Sequence, residues 1–116
     1  MDHEVEIRVK REAVATAQAM LRGDVDLIEG SRQLAALSHA LLDEIPPGDE
    51  LVAFDEVDLE TRTIPIGIPR EQWDPTVRAE ADIIRRRIES MSRGEIEAAC
   101  RSVISRFGNG TEASPA

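Results

Sequence analysis

The side chains best able to do chemistry gather around one stretch, Leu59–Pro75, which reads Leu-Glu-Thr-Arg-Thr-Ile-Pro-Ile-Gly-Ile-Pro-Arg-Glu-Gln-Trp-Asp-Pro. Glu60, Arg62, Arg70 and Glu71 are charged residues of this stretch, and Trp73 is the single tryptophan. Glu56 and Asp58, just upstream, extend the set. An arginine here could grip a carboxylate or phosphate through two parallel N–H donors. The same charges could instead tie the stretch to the rest of the fold as an ion-paired cluster, and fastening is the favoured reading. The candidate binding residues are therefore Glu56, Asp58, Glu60, Arg62, Arg70 and Trp73.

Catalytic chemistry has little support elsewhere. Ser38 and His39 are neighbours, but adjacent helix residues point apart and cannot pair as nucleophile and base. His39 and Asp43, four apart, would supply two metal ligands, too few for a site. No His-Glu-x-x-His, Cys-x-x-Cys or glycine-rich phosphate loop occurs, so neither a metal nor a cofactor is expected. Cys100 lies on an apolar helical stripe and reads as a buried structural thiol.

Helices must position these residues. The periodicity predicts a first helix over Val5–Arg22, with Ile7, Ala13, Val14, Ala17, Met20 and Leu21 on one face and Gly23 ending it. A second helix starts from Asp24 or Asp26 and runs to about Leu42, with Leu27, Gly30, Leu34, Leu37 and Leu41 as its stripe. Gly30 falls within that stripe, where the absence of a side chain lets a neighbouring helix approach; the rival reading is a break in the helix that exposes backbone amides to a ligand. Residues 43–49 contain Pro-Pro-Gly and read as a loop. From Glu50 a short helix to about Val57 is expected, then extended chain. A β-hairpin pairing Leu51–Leu59 with Thr63–Ile68 is the alternative.

Ile64, Ile66 and Ile68 alternate with Pro65, Gly67 and Pro69, which predicts an extended strap with its isoleucines on the core. A type I turn with Pro65 and Gly67 at its second and fourth positions is the rival local form. Asp74-Pro75 is the clearest helix start, a cap followed by a proline whose missing N–H costs nothing there. Trp73 precedes the cap, and Arg78 is the expected stacking partner. The C-terminal apolar set, Val77, Ile84, Ile88 and Met91, then Ile96, Ala99, Cys100, Val103, Ile104 and Phe107, slips near Gly94. Either one helix changes face there or two helices meet. Gly108-Asn109-Gly110 is expected to stop the last helix, leaving a flexible tail over 111–116.

Composition sets the outer limits. The 116 residues include three aromatics, so the core must be aliphatic and alanine-rich, which suits helix packing. Net charge is −9, from 23 acids and 14 bases, which disfavours nucleic acid as a ligand. Residues 43–69 alone carry −7, because Arg62 is their one base against 8 acids. That imbalance suggests an acidic face for a basic protein partner. The triplet Arg85-Arg86-Arg87 fans around a helix with acids at pairing distance, Asp82 for Arg86 and Glu89 for Arg85, and makes no single patch. One cysteine permits no internal disulfide and fits a reducing compartment. No signal peptide and no membrane span is read, so a cytoplasmic location is expected.

The order Glu29-Gly30-Ser31-Arg32 with Leu34 and Leu37, Glu60-Thr61, Pro65-x-Gly67, Arg70-x-x-Trp73 and Cys100 resembles a family of small bacterial proteins of unknown function. The likeness spans about residues 13–107. Arg62 and Thr63 stand where that family carries an acid and a histidine after the Glu-Thr pair. The resemblance implies a bacterial, cytosolic, single-domain protein and no particular activity.

The expected fold is mainly α: one domain over 1–110, a bundle of four or five helices crossed by a central extended strap, or by a short β-hairpin in its place. The leading functional reading is a non-catalytic interaction protein of the inhibitor or immunity kind, with its acidic 43–60 face against a basic partner. A homodimer, with the slipped C-terminal stripe shared between core and interface, is the second reading. A small-ligand or enzymatic pocket around Glu60, Arg62, Arg70 and Trp73 is the third.

Overall fold

Helix signals dominate the chain, and the computed structural model, which describes residues 2–41, 49, 51–65 and 68–111, is built from five α-helices. These are α1 (His3–Arg22), α2 (Leu27–His39), α3 (Val52–Glu60), α4 (Pro75–Met91) and α5 (Arg93–Thr111). A 3-10 turn, Arg70–Gln72, precedes α4. Among the described residues there is no β-strand.

Three of the predicted caps sit at observed helix ends. Gly23 closes α1 with φ +83°, a conformation that side chains strain. The Asp26 carboxylate accepts from the Ile28 and Glu29 amides and opens α2. Asp74 accepts from the Thr76 amide at 2.8 Å, with Pro75 in the first turn of α4. At the C-terminal slip two helices meet, and Ser92 is the joint between α4 and α5. The Gly108-Asn109-Gly110 stop fails, because α5 continues to Thr111. Glycine lowers helix propensity by about 1 kcal/mol per position, which does not by itself end a helix. The loop expected over 43–49 lies outside the described residues except at Asp49, as does the tail over 112–116.

α1 packs along α5, and α2 fills the angle between α1 and α3. The core is aliphatic as expected: Ala13, Val14, Ala17 and Met20 of α1 meet Leu34, Phe54, Ile88, Ile96, Ala99, Cys100 and Val103 in one buried cluster. Gly30 is where α1 crosses α2. A β-carbon there would stand 2.4 Å from Met20 Sδ, so only glycine lets the methionine lie flat on the helix. The Cys100 thiol is 3.8 Å from the same sulfur. Met91, read as part of the core stripe, is 74% exposed at the end of α4.

The strap and hairpin readings are corrected. α3 runs through Val57–Glu60, so the Leu51–Leu59 limb of the hairpin is helical, with Ala53, Phe54 and Val57 buried on one face. Beyond α3 the described residues turn tightly at Thr61–Ile64, bend at Ile68 and enter the 3-10 turn at Arg70. Ile64 is buried and Ile68 is half-exposed, so the isoleucines do not share a core side. Ile66 and Gly67 lie outside the described residues, and with them the type I turn.

Candidate binding groove between α2 and α4

Arg32 on α2 organises the turn after α3. One terminal guanidinium nitrogen donates to the carbonyls of Thr61 and Ile64, both at 3.0 Å. Its Nε lies 3.6 Å from Asp58 Oδ1, an ion pair too long for a hydrogen bond. That Nε is buried with no hydrogen-bond partner among the described residues. Thr61 is fully buried, and its hydroxyl donates back to the Val57 carbonyl at 2.7 Å, closing the last turn of α3. The chain therefore leaves α3 in one direction, which brings Ile64 and Pro65 against α2.

Two ionic links then hold α4 opposite. Arg85 donates to the Asp26 carboxylate that caps α2. Arg70 and Asp82 face each other with two nitrogen–oxygen contacts of 2.8 Å. The hydrogen bond with Asp82 raises the Arg70 pKa, and the same bond, aided by the positive field of Arg86 and Arg85, lowers that of Asp82. Both groups are thereby fixed in their charged forms. Trp73 is half-buried against the core, donates from Nε1 to the Ile68 carbonyl at 2.8 Å, and has the Arg70 guanidinium 5.8 Å from its ring centre.

Between these supports lies an open groove of about 460 Å³. Ile28 and Ala36 of α2, Ile64 and Pro65 of the turn, and Trp73 supply its apolar wall. Arg32, Gln33, Asp26, Glu29 and Arg85 supply its polar edge, and the groove continues toward Arg70, Ala81 and Asp82.

Of the residues singled out from sequence, Arg70 and Trp73 line this groove, and Asp58 stands behind it as the partner of Arg32. Glu56 and Glu60 flank a separate small hollow with Ser92 and Glu95, and Glu60 pairs with Arg87 at 3.8 Å. Arg62 is exposed, with no ion pair among the described residues. The expected Glu60–Arg62–Arg70–Glu71 cluster therefore does not assemble, and Arg32 does the fastening instead. Trp73 stacks with Arg70 and not with Arg78, because the 3-10 turn carries Arg70 back over the ring. Arg85 pairs with Asp26 and Asp82 with Arg70, so the expected Glu89–Arg85 and Asp82–Arg86 pairs give way to contacts between elements.

Asp26, Glu29, Arg32 and Arg85 were missed as site residues. Their signal lay in the Glu29-Gly30-Ser31-Arg32 run, where Ser31 is fully buried and an arginine borders the apolar stripe. His39 contacts Asp55 at 2.8 Å across α2 and α3, while Asp43 is outside the described residues. Among the described residues no group of three or more His, Cys, Asp or Glu is placed to hold a metal ion.

These features define a small all-α protein whose fourth helix stands off from the second across a lined groove. The chain belongs to the family of proteins of unknown function DUF2489, whose model matches residues 6–103. Neither a curated protein nor a solved structure matches it. Among the described residues no helix is long and apolar enough to cross a membrane.

Proposed function

We propose that this protein is a small acidic interaction module that engages a basic protein partner through the groove between α2 and α4. The observation that carries this reading is the groove's construction. Its apolar wall is drawn from α2, the turn and the Trp73 segment, while most of its charges are engaged in internal ion pairs. Charged groups already engaged in ion pairs serve recognition better than proton transfer.

The acidic 43–60 segment supports the reading less directly. Asp49 pairs with Arg106, Asp55 with His39, Asp58 with Arg32 and Glu60 with Arg87. Glu56 is exposed and remains a candidate contact on that face. Internal pairing spends charge that an incoming cation would otherwise meet.

A photo-crosslinking residue placed at Gln33, exposed in the groove, tests the proposal against one placed at Gln18, exposed on α1. In source cells, the expected result is a discrete protein adduct from the first position and none from the second. Equal adducts from both, or none from either, would overturn it.

A homodimer is the second reading, favoured by Ile83 at 57% and Met91 at 74% exposure on α4. Sedimentation equilibrium with Ile83→Glu decides it: a dimer that the substitution dissociates supports this reading, and a wild-type monomer removes it.

A further inference from the structure

Pairing off the charges of the groove, with Asp58 behind it counted as the partner of Arg32, leaves one over. Asp26 is matched by Arg85, Asp82 by Arg70, and Asp58 by Arg32. Glu29, exposed on the first turn of α2 and part of the groove lining, has no cation in ion-pair contact among the described residues. It lies beside the apolar wall of Ile28, Ala36, Ile64 and Trp73. The groove thus offers an oily floor and a single uncompensated negative charge at its edge, in a chain of net charge −9.

We infer that the groove receives an amphipathic helix of the partner, with apolar side chains on Ile28, Ala36, Ile64 and Trp73 and a lysine or arginine of the same helix at Glu29. This rests on the interaction reading above and adds the form and charge of the bound segment. Helix-in-groove recognition needs a trough between two elements and apolar anchors one turn apart. The walls here are α2 and α4, and the volume holds roughly two or three large apolar side chains. The internal ion pairs neutralise the other charges, so the sign of the preference falls to Glu29. An acidic helix would meet that carboxylate unscreened as it is desolvated.

Trp73, the single tryptophan, reports occupancy directly. The probes are a designed Leu/Lys amphipathic helix and a Leu/Glu helix of the same pattern, titrated into the full chain while indole emission is followed. The Leu/Lys helix is expected to bind and shift the emission, and the Leu/Glu helix to bind at least about tenfold more weakly. Glu29→Gln should weaken the Leu/Lys helix by about threefold to tenfold. Glu12→Gln, the same charge change on exposed α1, should leave it unchanged.

Ala36→Glu separates groove binding from general attraction to an acidic protein. It adds negative charge but obstructs the floor, so groove binding is lost, whereas diffuse attraction would grow. Retained binding in Ala36→Glu overturns the inference. Equal binding of both helices, abolished by Ala36→Glu, overturns the charge assignment and leaves the interaction reading standing. A small apolar amine that binds as tightly as the Leu/Lys helix overturns the helical occupant. Binding of neither helix overturns the inference too, and the Gln33 adduct then decides the interaction reading separately.

Discussion

The Arg32 guanidinium reaches from α2 to the Thr61 carbonyl at 3.0 Å, and through that bond the end of α3 is fixed relative to the groove. The same nitrogen holds Ile64, so one side chain sets both the exit of the helix and the position of an apolar wall residue. Arg32→Met leaves two carbonyls without their donor and is expected to cost about 2–3 kcal/mol in urea unfolding. Arg32→Lys keeps the charge near Asp58 but loses the forked geometry, and should fall between the two. A wild-type midpoint for Arg32→Met would show that the clasp contributes nothing.

Gly30 and Met20 are expected to behave as a coupled pair. Gly30→Ala gains about 1 kcal/mol of helix propensity but drives a methyl group into Met20, at an overpacking cost of about 1–3 kcal/mol. The net should be destabilising by about 1 kcal/mol. In a Met20→Ala background the obstruction is gone, and the same substitution should become stabilising. A thermal-melt double-mutant cycle measures the difference.

Acid should undo two ion pairs. The bond from Arg106 holds the Asp49 carboxyl below the usual 3.8, and Arg70 does the same for Asp82. A depressed folded-state pKa contributes stability that is present above 3.8 and is lost as pH falls through the lowered value. Asp49, with its side chain 8% exposed, should contribute the larger part. Asp49→Asn is expected to lower the melting temperature at pH 7 and to flatten its decline below pH 4. A decline as steep as in the parent chain would remove Asp49 from the account.

Cys100 should be inert in the native state. Burial, aided by the negative field of Glu97, pushes its thiol up to about 11. At pH 8 the thiolate is scarce and enclosed, so alkylation should proceed only as fast as the protein opens. Added urea should accelerate labelling in step with unfolding. Rapid labelling without urea would place the thiol at the surface. The linkage has the opposite sign to the carboxylates: the unfolded thiol ionises near 9.0, so stability should decline as pH rises from there toward 11.

Local chemistry was legible in the sequence, and long-range pairing was not. Gly23, Asp26 and the Asp74-Pro75 start each act within one turn of their own position, so the helix ends could be read directly. The close approach at Gly30 was visible because a glycine interrupts an apolar stripe. By contrast, Arg32 meets Thr61 across 29 positions and Arg85 meets Asp26 across 59. In a chain with 37 charged residues, periodicity gives no reason to prefer one distant counter-ion over another. The strap was misread because alternating isoleucines between prolines mimic an edge strand, while tertiary hydrogen bonds from Arg32 favour a tight turn. Trp73 and Arg70 were found because rare residues near a helix start stand out, but their partners Ile68 and Asp82 were not.

α4 buries only Ala81 and Ile88 along its 17 residues. Its middle is also tied to the neighbouring elements through Arg85–Asp26 and Arg70–Asp82, both solvent-facing. Rising ionic strength weakens such exposed pairs, while packed aliphatic contacts are far less sensitive to it. Added salt is therefore expected to slacken one wall of the groove without loosening the α1–α5 core, so that the width of the trough would depend on the surrounding electrolyte as well as on the fold.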